Sequence, residues 1–92
     1  MKMSIQDRIN NEETTIVDVR TQSEFFGGHV RGSINIPLNQ IVSRIDELLT
    51  MQPMVICCAS GGRSGQATAY LKEQGLDAVN GGGWMMVDAQ KV

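Results

Sequence analysis

The chain has 92 residues, 41% of them apolar and 20% charged, with a formal net charge of −2. That length suits a single domain, residues 1–92, with one modest core. The slightly acidic balance leaves no basic stripe for nucleic acid, and no apolar run approaches the roughly 20 residues of a membrane-spanning helix.

Residues Met1–Arg8 contain no apolar signal-peptide core, so a cytoplasmic location is expected. The two cysteines, Cys57 and Cys58, are neighbours. A bond between adjacent cysteines closes only a strained ring, so no disulfide scaffold is expected. Their spacing also excludes a zinc ribbon or a C-x-x-C redox pair.

Strand and helix signals alternate along the chain, which predicts an α/β fold with a parallel sheet and crossover helices. Ser4 can cap a short helix over Ile5–Asn10, with Asp7 completing a capping box. Thr15–Val19 is β-branched and reads as a buried strand. Gly27, Gly28 and Gly32 mark a loop around His29. Ser33–Ile36 is a second short strand, stopped by Pro37.

Leu38, Ile41, Val42, Ile45, Leu48 and Leu49 then recur at helical spacing. Met54–Cys57 has no polar alternation and reads as a strand covered on both faces. Ser64–Gln74 is the next helix, with Ser64 a reasonable N-cap. Gly75 fits its left-handed C-terminal position, with Leu76 set to touch Leu71. Ala78–Asn80 is a last short strand, Gly81–Gly83 a loop, and Trp84 the start of a terminal helix.

Ligands of open α/β sheets sit beyond the carboxyl ends of the strands. Asp18–Arg20, the Gly28-His29 loop, the loop after Cys58 and Gly81–Gly83 all fall on that edge. Cys58 is the most informative residue there. It opens the run Cys58-Ala59-Ser60-Gly61-Gly62-Arg63-Ser64, between a strand and a helix. Such a turn can point its N–H groups inward around an anion, aided by the helix dipole.

Amides from Ala59 to Ser64, with the Arg63 guanidinium, would favour a thiolate over the ordinary thiol. Gly61 and Gly62 supply the backbone freedom, and Arg63 can hold an oxyanion with two bonds. Thiolate attack on an anionic substrate is the expected chemistry. It requires Cys58 to be reachable from solvent and its neighbouring amides to face it. Cys57, on the opposite face of the strand, is expected to be packing.

At this point the sequence resembles the rhodanese (sulfurtransferase) family. The Cys58–Ser64 loop matches the family's active-site loop. Asp18-Val19-Arg20, Glu24-Phe25, Gly28-His29-Val30-Arg31-Gly32-Ser33-Ile34-Asn35-Ile36-Pro37 and Gly81-Gly82-Gly83-Trp84 match in the same order. The size is similar to the small, single-domain, phage-shock-E-like members.

The resemblance implies a three-layer α/β/α fold with a parallel sheet of four or five strands. Four are favoured here, because only 14 residues precede Thr15. It also implies a mechanism. Cys58 takes the outer sulfur of thiosulfate, or of a related small anionic donor, as a persulfide and releases sulfite. The sulfur then passes to cyanide, a thiol or a protein thiol. Ala59, Ser60, Gly61, Gly62, Arg63 and Ser64 bind the donor, and Arg20 with Glu24 forms a structural ion pair. No cofactor is implied.

Four residues separate Cys58 from Arg63, whereas cysteine phosphatases and arsenate reductases of related architecture use five. The tighter loop suits sulfur better than phosphate, and no general acid for an alkoxide leaving group is evident. The other rival is a non-catalytic module that carries or senses sulfur.

Asp18 reads as a turn-capping carboxylate and His29 as a loop histidine satisfied by backbone groups. One histidine without a carboxylate cluster is a poor metal site. Trp84, Met85 and Met86 could line the pocket mouth or cover the sheet.

Overall fold

The five residues Met54–Cys58 are all buried. A strand with no solvated face belongs inside a sheet with helices on both sides. The computed structural model, which describes residues 3–92, puts this strand there. Four strands form one parallel sheet in the order β2-β1-β3-β4. They are β1 (Thr15–Asp18), β2 (Ile34–Asn35), β3 (Met54–Cys58) and β4 (Ala78–Gly83). The four-stranded α/β sheet is as expected from the sequence.

The α-helices among the described residues are α1 (Ile5–Ile9), α2 (Gln22–Phe26), α3 (Ile45–Leu49), α4 (Gly62–Glu73) and α5 (Trp84–Gln90). Alternate residues of β3 face alternate layers. Met54, Ile56 and Cys58 pack with Leu48 of α3 and with Ala67 and Leu71 of α4. Val55 and Cys57 pack with Ile9 of α1 and Val87 of α5. The result is helix, sheet, helix. Among the described residues no helix is long and apolar enough to cross a membrane.

The capping box on α1 forms as expected, with the Asp7 amide donating to Ser4 Oγ at 3.0 Å. The α4 terminus also closes as expected, the Leu76 amide donating to the Leu71 carbonyl at 3.0 Å. Four readings need correction. First, α2 was not anticipated, although Thr21 and Glu24 form a capping box that spells its start.

Second, the periodic stretch 38–49 is not one helix. It is a 3₁₀ turn at Leu38–Gln40, a run of turns, then α3. Leu38, Ile41, Ile45 and Leu48 still reach the core, whereas Val42 and Leu49 face solvent. Adjacent β-branched Ile41 and Val42 followed by Ser43 are poor helix formers, and packing of the core face outweighs the pattern.

Third, Gly81–Gly83 lies in β4. Ile56 pairs with Asn80 but Cys57 pairs with Gly82, so Gly81 is the extra residue of a bulge. Fourth, Ser64 does not cap α4. Gly61 holds that position with φ 109°, and Ser64 lies buried in the first turn.

Neighbouring leucines test the broken helix. Leu48 is 0% exposed and Leu49 is 48% exposed. Leu48→Ala should cost about 2–5 kcal/mol and Leu49→Ala below about 1 kcal/mol in urea unfolding. Equal costs would contradict the observed split.

Candidate active site

The β3 strand ends at Cys58, and the chain turns at once into α4. The turn is possible because Gly61 adopts φ 109°, where a side chain would be strained. It is also crowded: a Cβ on Gly83 would lie 2.8 Å from the Ala59 carbonyl oxygen. A glycine there lets β4 press against the loop.

Inside the turn the Gly61 amide donates to Cys58 Sγ at 3.0 Å, and Ser64 Oγ lies 3.3 Å from it. Burial pushes the Cys58 thiol up. The Ser64 hydroxyl and the amides of Ser64, Gly61 and Ser60 more than offset it, so the thiol lies below its ordinary range. Cys57, one residue earlier, lacks such donors. Burial and the Asp18 charge push its thiol up to about 12. Two adjacent cysteines, both buried, thus differ in acidity because hydrogen-bond donors surround only one.

The inward-facing amides agree with expectation. Solvent access does not: Cys58 is 1% exposed. The reason lies in the same hydrogen bonds. With an amide nitrogen 3.0 Å from the sulfur, the loop lies directly on Sγ. Attack on any donor therefore requires the loop to lift or to exchange its contact for the donor.

Arg63 is also placed differently from expectation. Its Nη1 and Nη2 donate to Glu24 Oε1 and Oε2 at 2.7 and 3.0 Å. Its two-pronged contact is taken up by α2. Arg20, expected to pair with Glu24, instead pairs with Asp18 at 2.8 Å and donates to the Gly28 carbonyl at 2.6 Å. Arg20 turns back on the residue two before it, and the Trp84 ring covers its guanidinium at 4.9 Å. Asp18 also accepts from the Arg20 amide at 3.0 Å, the turn-capping role expected.

His29 donates from Nδ1 to the Phe25 carbonyl at 2.7 Å and stacks on the Phe25 ring. This is the backbone satisfaction expected of it. Trp84 is half-buried against the α1/α5 cluster, while Met85 and Met86 are 68% and 66% exposed. Val87, not the methionines, covers the sheet. Beside Arg63 runs a groove of about 290 Å³ lined by Val19, Thr21, Pro37, Leu38 and Asn39.

The β2-β1-β3-β4 parallel sheet with its flanking helices has counterparts among known proteins. Residues 3–86 match the model of the Rhodanese-like domain. The chain belongs to the rhodanese family.

It is 38% identical over 72 residues to the uncharacterised protein YqhL of Bacillus subtilis, covering 78% of this chain and 57% of that protein. It is 35% identical over 79 residues to the thiosulfate sulfurtransferase PspE of Escherichia coli, covering 83% of this chain and 76% of that protein. A solved Escherichia coli rhodanese with anions superposes with a TM-score of 0.73 at 33% identity, over 79% of this chain and 89% of that one. This rhodanese therefore has relatives named as sulfurtransferases.

Asn80 at the site was not anticipated from the sequence. It accepts from Ser64 Oγ at 2.7 Å and donates to the Gly61 carbonyl at 3.2 Å. No spacing rule singles it out, because its partners Ser64 and Gly61 come from the turn and helix after β3.

Two measurements check this geometry. Iodoacetamide at neutral pH should label Cys58 and spare Cys57, as read by peptide mass mapping. Labelling of both, or of Cys57 alone, would contradict the asymmetry.

The second concerns Glu24. The Arg63 hydrogen bond, then the Thr21 amide, hold its carboxyl down from 4.5 to about 2. Its folded value is the lower one, so the stabilisation is present above pH 4.5 and lost as pH falls toward 2. Wild type should lose urea stability across that window more steeply than Glu24→Gln, by a small amount that salt reduces. Equal slopes would exclude the pair as a contributor.

Proposed function

We propose that this rhodanese is a sulfurtransferase in which Cys58 carries a sulfane sulfur from thiosulfate, or a related small anionic donor, to a thiophilic acceptor. The observation that supports it is the donor set on Sγ. The Gly61 amide donates to it at 3.0 Å and the Ser64 hydroxyl lies within hydrogen-bond reach at 3.3 Å, whereas the neighbouring Cys57 has no such partners. A buried structural cysteine needs no such donors. A nucleophile does, because the thiolate is the reacting form.

The chemistry balances as two displacements. The Cys58 thiolate attacks the outer sulfur of thiosulfate, a Cys58 S–S bond forms, and the donor's S–S bond breaks. Sulfite leaves with the electron pair, and no proton moves. An acceptor thiolate or cyanide then attacks the outer sulfur of the persulfide. That bond breaks with its electrons returning to Cys58, giving an acceptor persulfide or thiocyanate. This is covalent catalysis in two steps.

The amides of Ser60, Gly61 and Ser64 would serve the persulfide anion as they serve the thiolate. Ala59 and Gly62 complete the loop, which would lift or exchange its contact with Sγ to admit the donor. Arg63, at the rim of the groove beside the loop, would meet the donor's sulfonate by sharing its guanidinium with Glu24.

Mass spectrometry of the intact protein after thiosulfate treatment tests the proposal. Wild type should gain the mass of one sulfur atom, and Cys58→Ser should not. Added cyanide should remove it as thiocyanate, at a rate that Cys58→Ser lowers by roughly 10³-fold or more. An adduct that forms on Cys58 but never transfers would make the protein a sulfur carrier. Equal thiocyanate production by wild type and Cys58→Ser would overturn the assignment of Cys58.

A further inference from the structure

Four hydrogen bonds meet at the Asn80 side chain and its partner Ser64. The Gly82 amide donates to Asn80 Oδ1 at 2.9 Å, and Asn80 Nδ2 donates to the Gly61 carbonyl at 3.2 Å. A backbone donor on one side and a backbone acceptor on the other fix which way the amide points. Oδ1 can only accept. Ser64 Oγ, 2.7 Å from it, must therefore donate. A hydroxyl has one proton, so Ser64 has none left for Cys58 Sγ at 3.3 Å. In this arrangement the bond between them runs the other way, from the thiol S–H to Ser64 Oγ.

We propose that Asn80 is a positioning residue that controls Cys58 by competing with its sulfur for the hydroxyl proton of Ser64. The proposal rests on the sulfur-transfer reading only in taking the thiolate as the reacting form. While Cys58 is a thiol, the chain runs S–H to Ser64 Oγ–H to Asn80 Oδ1. When Cys58 ionises, Ser64 turns its proton from Asn80 to the sulfur. Asn80 is exposed, and its Oδ1 keeps the Gly82 amide, so giving up the Ser64 proton leaves no buried acceptor without a partner.

Asn80 thus holds the thiol form back from ionising, while its Nδ2 holds the Gly61 carbonyl and so the amide that faces Sγ. The two ends of one side chain have opposite effects on the thiolate. The bulge in β4 makes this possible, because it brings the Gly82 amide round to the side chain two residues earlier.

The ionisable groups near Cys58 are few. Arg63 of α4 is tied to Glu24 of α2, Asp18 of β1 is tied to Arg20, and Cys57 lies on the other face of β3. Strand β4 contributes none. Replacing Asn80 leaves these pairs intact.

The test is the pH dependence of iodoacetamide alkylation at Cys58. Asn80→Ala frees the Ser64 proton and should lower the midpoint by roughly half a pH unit or more. In a Ser64→Ala background the same change should leave the midpoint still or raise it. A purely structural Asn80 predicts the reverse for the single variant, since a loosened loop loses its amide bond to sulfur. A midpoint unchanged or raised in Asn80→Ala, or lowered equally in both backgrounds, would overturn the proposal.

The native protein offers a second reading should the variants not fold. Below the midpoint, its infrared S–H stretch should show two bands, the lower from Cys58 donating to Ser64. One band would overturn the proposal. None of these measurements involves a sulfur donor, so a failure of sulfur transfer and a failure of proton competition are separate results.

Discussion

A sulfur atom buried at a strand end, with hydrogen-bond donors pointed at it, is the constraint on which the rest of this molecule depends. Burial alone makes a thiol inert, as Cys57 illustrates at one residue's remove. The donors reverse that effect at Cys58. They can do so because β3 delivers the side chain to the carboxyl edge, Gly61 bends the chain back over it, and α4 opens with its amides directed there. The core holds the strand and helix, and the strand and helix hold the loop.

Around this centre the charges are arranged in closed pairs. Asp18 with Arg20, and Glu24 with Arg63, leave each arginine committed to a carboxylate. The groups that face the Cys58 sulfur are instead backbone amides and a hydroxyl, whose dipoles cannot be titrated away. The Glu24–Arg63 pair also joins α2 to the first turn of α4, which ties α2 to the end of the cysteine loop. The α1/α5 layer on the far face keeps Cys57 out of the chemistry, and the Trp84 ring of α5 closes over Arg20.

Much of this was legible in the residues. The apolar run of β3, Gly61 after Cys58 and the capping box at Ser4 each carry a local physical signal, and each forms as read, whereas Gly62, read as part of the bend, is the first helical residue of α4. What escaped is what tertiary contacts decide. The 38–49 periodicity survives as a buried stripe, yet weak helix formers break its backbone. Gly81–Gly83 looks like a loop until β3 is beside it, when pairing draws it into a bulged strand. Partner choice among Arg20, Arg63, Asp18 and Glu24 depends on where α2 sits, and α2 itself was missed despite its Thr21–Glu24 cap. The closure of the loop over Cys58 is a matter of ångströms that no spacing rule encodes.

The most direct test is a titration of the Cys58 thiolate by its ultraviolet absorbance in the Cys57→Ala protein, folded and in urea. The folded protein should ionise at lower pH than the unfolded chain, whose midpoint should lie near the ordinary cysteine value of about 8.5. A folded midpoint at or above the unfolded one would mean that burial outweighs the hydrogen bonds on the sulfur, and the account of this site would be wrong.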